Sequence, residues 1–223
     1  MSASETDAPL VLVGGTFDPV HAGHLGLADD ARGAFPGAEV RFVPAGDPPH
    51  RPAPGAPAAH RLAMLKLALA GRPGITIDTR ELARLGKSYT VLTLGELRAE
   101  QPRRPLILVL GADAFRGLPS WHRWTEILAL AHVVVAARPG DPFDAALPAA
   151  LAPLWRAHRT PAAADLIRAP AGRIYVLPTV PRDVSASAIR AALARGGDAA
   201  PSVRALMPPA VWDYIANHRL YAG

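Results

Sequence analysis

A short apolar strand that runs into two glycines and then a helix is the feature that most constrains this chain. Residues 9–13, Pro-Leu-Val-Leu-Val, have the continuous apolar, β-branched character of a buried parallel strand. Gly14 and Gly15 follow, and a helix is predicted over residues 25–32. Glycine lets a ligand approach the backbone closely, and a helix start offers unpaired N–H groups and the positive end of its dipole. The pattern predicts a phosphate site at this turn, although a tight turn without a ligand would give the same pattern.

Two histidines stand at the start of this helix. His21 and His24 are three residues apart and therefore lie on one helical face. Such a pair can donate to phosphate oxygens or bind a metal ion. The chain has no cysteine, and no acidic residue stands nearby at a typical ligand spacing. The pair therefore favours phosphate, and we predict no metal site.

Predicted strands and helices alternate along the chain, which indicates an α/β fold with a Rossmann-like doubly wound parallel sheet. We expect a single domain over residues 1–223, with a less regular excursion at about 140–172 that is either loop and helix or partly mobile. Ligands of such sheets bind beyond the carboxyl ends of the strands, where the strand order reverses. The first glycine turn and residues 111–113 are therefore expected to line one crevice. Further strands are predicted at 39–45, 75–78, 105–110, 132–137 and 173–177, and helices at 58–70, 90–100, 124–130, 187–195 and 209–218.

Composition argues against two classes of partner. The net charge is +5, but the positive residues are nearly all scattered arginines and aromatic residues are few, so we predict no nucleic-acid surface. No stretch of about twenty apolar residues lacks charges, so we expect no membrane contact. The polar N-terminus and the absence of cysteine fit a cytoplasmic protein, and the sequence carries no signal for an oligomeric state. We assign Asp29, Asp30, Arg103 and Arg104 to solvent.

Three separated motifs carry a resemblance to a known family. Residues 14–24, Gly-Gly-Thr-Phe-Asp-Pro-Val-His-Ala-Gly-His, resemble the signature of the nucleotidylyltransferase superfamily. Residues 185–190 resemble its Ser-x-Ser/Thr-x-x-Arg motif, and residues 111–113 its Gly-x-Asp motif. Read without the resemblance, the serines and the aspartate could simply cap helices. The resemblance implies catalytic roles for His21, His24 and Arg190, Mg²⁺ carried with ATP, and an ATP site formed by Gly14, Gly15, Thr16, Phe17, Gly111, Asp113 and Ser187.

Further motifs select a group within that superfamily. Ser88-Tyr89-Thr90, Ser120-Trp121-His122 and residues 47–51 together resemble bacterial nicotinate-nucleotide adenylyltransferases, over residues 10–221. His122 departs from the family, where tyrosine is frequent at that position. The resemblance implies ATP and nicotinate mononucleotide as substrates, with a mononucleotide site that includes Tyr89, Thr90, Trp121, His122, Arg138, His50 and Arg51.

Three alternatives stay open from the sequence. Trp121 could be a core residue, although its polar and turn-like neighbours suit a pocket wall. The chain could be a nucleotide sensor that binds ATP without turning it over. It could also use another acceptor, such as nicotinamide mononucleotide.

Overall fold

Seven parallel strands form one sheet in the part of the chain that this computed structural model describes, residues 8–46, 54–137, 143–196 and 202–222. The strand order is β3-β2-β1-β4-β5-β7-β6, which confirms the predicted doubly wound α/β fold. The chain builds one half of the sheet outward from β1 and then resumes with β4 on the other side of β1. The strands are β1 Leu10–Gly15, β2 Glu39–Pro44, β3 Ile75–Ile77, β4 Leu106–Gly111, β5 His132–Ala137, β6 Arg159–Thr160 and β7 Ile174–Pro178.

Nine α-helices of the described residues cover the two faces of this sheet. The predicted helix at 90–100 and the predicted strand at 132–137 have the observed bounds. The predicted helix at 124–130 instead begins as a 3₁₀ turn, Trp124–Glu126. The helices are α1 Ala22–Ala34, α2 Ala58–Leu69, α3 Arg80–Ala83, α4 Thr90–Glu100, α5 Ala112–Arg116, α6 Ile127–Leu130, α7 Ala152–His158, α8 Ala186–Arg195 and α9 Pro209–Asn217.

The central strands are buried on both faces, as their continuous apolar sequence predicts. Along β1, Val11 and Val13 face one core cluster, while Leu10 and Leu12 face the other. Successive side chains of a strand point to opposite faces, and burying each one fully contributes about 1.5–3 kcal/mol. The sheet is therefore held rigidly at its centre, where β1 and β4 end.

The excursion between β5 and β7 has defined structure over residues 143–172. Trp155 of α7 packs edge-on against Phe143, with ring centroids 5.4 Å apart, and the short strand β6 pairs with β7. These residues form two 3₁₀ segments, Phe143–Ala146 and Ala163–Arg168, together with α7 and the edge strand β6, which the sequence analysis did not predict. Among the described residues, no helix is both long and apolar enough to cross a membrane.

Three charged residues that we assigned to solvent form ion pairs. Asp29 remains exposed and pairs with Arg72 at 3.0 Å, whereas Arg104 and Asp30 are held in less exposed contacts. Arg104 lies 3.0 Å from Glu39 and donates to the carbonyl of Ala8 at 2.7 Å. Asp30 forms a two-point contact with Arg182, at 2.8 and 3.3 Å. Both partners are distant in sequence, so neither pair produces a local pattern.

Candidate active site

The carboxyl ends of β1 and β4 meet at the point where the strand order reverses, and a cavity of about 340 Å³ opens there. Gly14, Gly15 and Thr16 border this cavity from β1, and Gly111 borders it from β4. The structure therefore brings the two predicted glycine turns to one crevice. We call this space the first cavity.

His21 and His24 lie together at the start of α1. His21 is the residue that precedes the helix, and the two rings stack with their centroids 3.8 Å apart. The backbone N–H of His21 donates to Nδ1 of His24 at 3.3 Å, which assigns the ring proton of neutral His24 to Nε2. His24 borders the first cavity. A neutral His24 can therefore act as an N–H donor toward a ligand.

Burial keeps both histidines uncharged near neutral pH. Desolvation lowers the pKa of His21 to about 4. It lowers the pKa of His24 to about 3, with a further contribution from the charge that His21 would carry. Nδ1 of His21 is buried without a hydrogen-bond partner in the described part of the chain. His24 is thus a neutral donor at the first cavity rather than a fixed cation, whereas the His21 ring is 6% exposed and borders neither cavity.

Gly23 is needed for this arrangement because the His21 ring lies directly against it. A Cβ at residue 23 would lie 3.0 Å from Cε1 of His21 and 3.0 Å from Cγ1 of Val184. Few side chains tolerate such contacts. The glycine of the His-Ala-Gly-His step therefore lets the first histidine pack against the helix.

Phe17, expected to contact ATP, has its side chain in the core. It is 1% exposed and packs against Phe42 and His24, with ring centroids 5.4 and 5.0 Å away. Its φ of 51° is unusual for a bulky residue. Only the backbone of Phe17 can face a ligand, and its ring supports His24 from behind.

Arg61 is a site-supporting residue that the sequence analysis missed. It is 1% exposed, and its guanidinium donates to the carbonyls of Thr16 at 2.7 Å and Ala45 at 2.9 Å. These bonds hold the ends of β1 and β2 together beside the first cavity. A signal was present, because Arg61 occupies the buried stripe of α2 with Met64, Leu65 and Ala68.

Four of the residues predicted to bind the mononucleotide also border the first cavity. Tyr89 and Thr90 stand at the start of α4, and Trp121 and His122 follow the turn after α5. The rings of Tyr89 and His122 lie 4.3 Å apart. Trp121 is only partly buried and borders the cavity, so it is a wall residue rather than a core residue.

A carboxylate outside the motifs also borders the first cavity. Glu81 of α3 accepts a hydrogen bond from the Thr93 hydroxyl at 2.7 Å, and burial raises its pKa above the ordinary value. Arg84 lies beside it and donates to Thr93 at 3.3 Å and to Glu96 at 2.7 Å. A hydrogen bond from Thr93, with Arg84 beside it, therefore holds Glu81 at the border of the cavity.

A second cavity, of about 510 Å³, lies on the other side of the α1 start. Asp113 and Arg182 border it, and Leu27 and Gly111 border both cavities. Asp113 is fully exposed and ion-paired with Arg116 at 2.9 Å. The alternative that Asp113 caps α5 is wrong, because Gly111 precedes the helix and Asp113 is already inside it.

Arg190 is brought to the signature turn by α8. Ser185 caps this helix by accepting from the Ala188 N–H at 3.2 Å, as the sequence predicted. The Arg190 guanidinium donates to the carbonyl of Asp18 at 2.7 Å and to the hydroxyl of Ser187 at 3.4 Å. Arg190 and Ser187 thus stand beside the signature without bordering either cavity among the described residues.

Three predicted site residues, His50, Arg51 and Arg138, lie outside the described residues. Among the residues that are described, no group of three histidine, aspartate or glutamate side chains could hold a metal ion.

Comparison with known proteins gives the family. Residues 12–192 match the family described as cytidylyltransferase-like. Two curated relatives are each named probable nicotinate-nucleotide adenylyltransferase. The one from Laribacter hongkongensis is 52% identical over 94% of this chain and 93% of its own length. The one from Hahella chejuensis is 48% identical over 96% of both chains.

Solved structures share the fold. Nicotinic acid mononucleotide adenylyltransferase from Plasmodium falciparum, complexed with NaAD, matches with a TM-score of 0.69 and 16% identity, over 96% of this chain and 97% of that one. A protein from Vibrio parahaemolyticus that is described as a "putative nicotinate-nucleotide adenylyltransferase" matches with a TM-score of 0.60 and 16% identity, over 96% of this chain and 94% of that one.

The chain therefore belongs to the cytidylyltransferase-like family, whose fold and glycine turn it has. Within that family it belongs to the nicotinate-nucleotide adenylyltransferases, which its motifs resembled.

Proposed function

We propose that this chain transfers the adenylyl group of ATP to nicotinate mononucleotide, which gives nicotinate adenine dinucleotide and pyrophosphate in NAD biosynthesis. A phosphate oxygen of the mononucleotide attacks the α-phosphorus of ATP. The new P–O bond forms as the bond from the α-phosphorus to the bridging oxygen breaks, and pyrophosphate leaves. The nucleophile is already an anion, so alignment and charge stabilisation are required rather than a general base.

One observation carries the proposal: two cavities share a border at Leu27 and Gly111, and a neutral histidine, His24, borders the first of them one turn before Leu27. We assign the first cavity, with Tyr89 and Trp121, to the mononucleotide. We assign the second cavity, with Asp113, to the adenosine half of ATP, where a carboxylate can accept from both ribose hydroxyls. The α-phosphate then lies between them.

In this mechanism His24 donates to the α-phosphate, and His21 to a neighbouring phosphate oxygen. Arg190 holds the β- and γ-phosphates, for which a guanidinium offers forked donors. The backbone N–H groups of Gly14, Gly15, Thr16 and Phe17 add further donors, and Ser187 steadies Arg190. His50, Arg51 and Arg138 remain candidates for the anionic groups of the mononucleotide.

We propose that Mg²⁺ enters as part of the ATP complex rather than from a resident site. Mg²⁺ prefers oxygen ligands and usually binds through substrate phosphates with one or two carboxylates. The described residues provide no cluster of carboxylates for it. With no cysteine in the chain, we place the reaction in the cytoplasm.

A pyrophosphate-release assay with a panel of acceptors tests the proposal. We expect release with ATP and nicotinate mononucleotide, and much slower release with nicotinamide mononucleotide. ATP binding without release for any acceptor would mean a nucleotide sensor. Fast release with a different acceptor would mean that the acceptor has been misassigned.

A further inference from the structure

One buried carboxylate ties three distant parts of the chain to the signature turn. Asp18 is 4% exposed, and its oxygens accept from the backbone N–H groups of Gly55 at 2.7 Å and Ala56 at 3.0 Å. The hydroxyl of Tyr221 donates to Oδ1 at 2.7 Å. The Arg190 guanidinium lies 3.5 Å from Oδ2. The carboxylate therefore joins the segment before α2, the helix α8 and the C-terminal segment.

Arg190 makes its short bond to the backbone of Asp18 rather than to the carboxylate. Its Nη1 donates to the Asp18 carbonyl at 2.7 Å, whereas the distance to the carboxylate is 3.5 Å. The Arg190 side chain remains 33% exposed. The guanidinium is thus anchored by one edge and keeps donors available for a ligand. Those donors stay available only while the Asp18 carboxylate accepts hydrogen bonds from Gly55, Ala56 and Tyr221.

Tyr221 donates a side-chain hydrogen bond to Oδ1 of Asp18, whereas Arg190 lies nearest Oδ2 of the same carboxylate. Burial and the bond to Asp18 raise the pKa of the Tyr221 hydroxyl well above the ordinary value, so the hydroxyl stays a donor. Its ring is held independently of this bond, because a Cβ at Gly55 would lie 3.2 Å from the ring and 3.0 Å from Cδ of Arg190. Tyr221 also adopts a φ of 63°, which a non-glycine residue holds only when its surroundings fix it.

We propose that Tyr221 is a positioning residue for phosphate binding, which acts on Arg190 through Asp18. With the hydroxyl in place, the Asp18 carboxylate accepts three hydrogen bonds and the Arg190 guanidinium stays available to a polyphosphate. Without the hydroxyl, Oδ1 keeps only the Ala56 N–H, and the buried carboxylate carries more uncompensated charge. The Arg190 cation, 3.5 Å from Oδ2, is the nearest group that can offset this charge. Arg190 then turns toward Asp18 and away from the ligand. This inference rests on the proposed role of Arg190 in holding the phosphates of ATP.

The test is Tyr221→Phe, which removes the hydroxyl and keeps the ring. Tyr214→Phe is the matched control, because the Tyr214 hydroxyl contacts His60 instead. We expect Tyr221→Phe to weaken the binding of a non-hydrolysable ATP analogue, measured by calorimetry, by about tenfold. The KM for ATP should rise by a similar factor, and the control should match the wild type in both measurements.

A double-variant cycle separates this idea from a purely structural role. In an Arg190→Lys background, Tyr221→Phe should weaken analogue binding by less than about twofold, because its effect passes through the guanidinium. Analogue binding and KM equal to the wild type, with only a lower melting temperature, would overturn the proposal. Equal effects of Tyr221→Phe in both backgrounds would overturn it as well. If Arg190→Lys binds the analogue as the wild type does, the proposed role of Arg190 fails instead, and this inference falls with it.

Discussion

Replacing His24 by alanine separates the chemistry of the site from its packing. The ring is stacked on His21 at 3.8 Å and lies edge-on to Phe17 at 5.0 Å. Aromatic contacts of this kind are each worth about 0.5–1.5 kcal/mol, so the variant should lose about 1–3 kcal/mol of unfolding free energy. A domain of ordinary stability, about 5–15 kcal/mol, remains folded after such a loss.

The expected loss of activity is larger than the loss of stability. With its pKa lowered to about 3, His24 is a neutral N–H donor at pH 7, and the variant removes that donor from the reacting phosphate. Removal of one transition-state donor costs about 2.7–4 kcal/mol, or roughly a hundred- to a thousandfold in kcat. Pyrophosphate release at saturating substrates measures this cost, and thermal unfolding measures the packing cost.

His218→Ala serves as the control, since it removes an exposed imidazole near the end of α9. Its kcat should equal that of the wild type. A kcat for His24→Ala within about threefold of the wild type, in a folded protein, would refute the assignment of His24 as a phosphate donor.

Three further predictions follow from the same geometry. Arg190→Lys should raise the KM for ATP and lower kcat with little change in melting temperature, because lysine keeps the charge but not the fork; a loss of stability alone would make Arg190 a structural residue. Trp121→Ala should raise the mononucleotide KM far more than the ATP KM. The wild type should prefer nicotinate over nicotinamide mononucleotide by about a thousandfold in kcat/KM, because backbone N–H groups at the start of α4 favour the ring carboxylate, while the Glu81 carboxylate at this cavity is already engaged by Thr93 and is not free to pair the amide NH₂; equal kcat/KM for the two would contradict this. Folding lowers the pKa of His21 to about 4 and that of His24 to about 3. Below about pH 6.5 the unfolded chain therefore binds more protons than the folded chain does. The free energy of unfolding should therefore fall as the pH drops from about 6.5 toward 4, by up to about 1.4 kcal/mol per pH unit for each histidine, and less steeply in His24→Ala. Parallel slopes for wild type and variant in pH-dependent thermal unfolding would show that His24 is not desolvated.

Local patterns account for the parts of the fold that the sequence predicted. The continuous apolar run of β1 and the two glycines after it specify a buried strand and a turn, and both are observed. The Ser185 cap is also a local feature, with a bond across three residues. Arg61 was missed although its position on the buried stripe of α2 carried a signal, because a helix prediction for residues 58–70 does not by itself show which polar side chain is buried.

The contacts of Asp18 were not predictable from any pattern along the chain. Its partners are 37 residues away at Gly55, 172 at Arg190 and 203 at Tyr221. No periodicity links such positions, and only the packing of α2, α8 and the C-terminal segment brings them together. The same reason explains why Asp30 was assigned to solvent, since Arg182 is 152 residues away.

Leu27 and Gly111 border both cavities, and this shared border has a consequence for inhibitor binding and for ligand release. A single molecule that fills both cavities pays the translational entropy of binding only once. It therefore binds more tightly than either half alone. On the proposed assignment of the two cavities, a dinucleotide product is such a molecule, and it dissociates only when both halves are released. On the same assignment it competes with either substrate. Two weak ligands, one for each cavity, should therefore give a tight ligand when a short linker joins them.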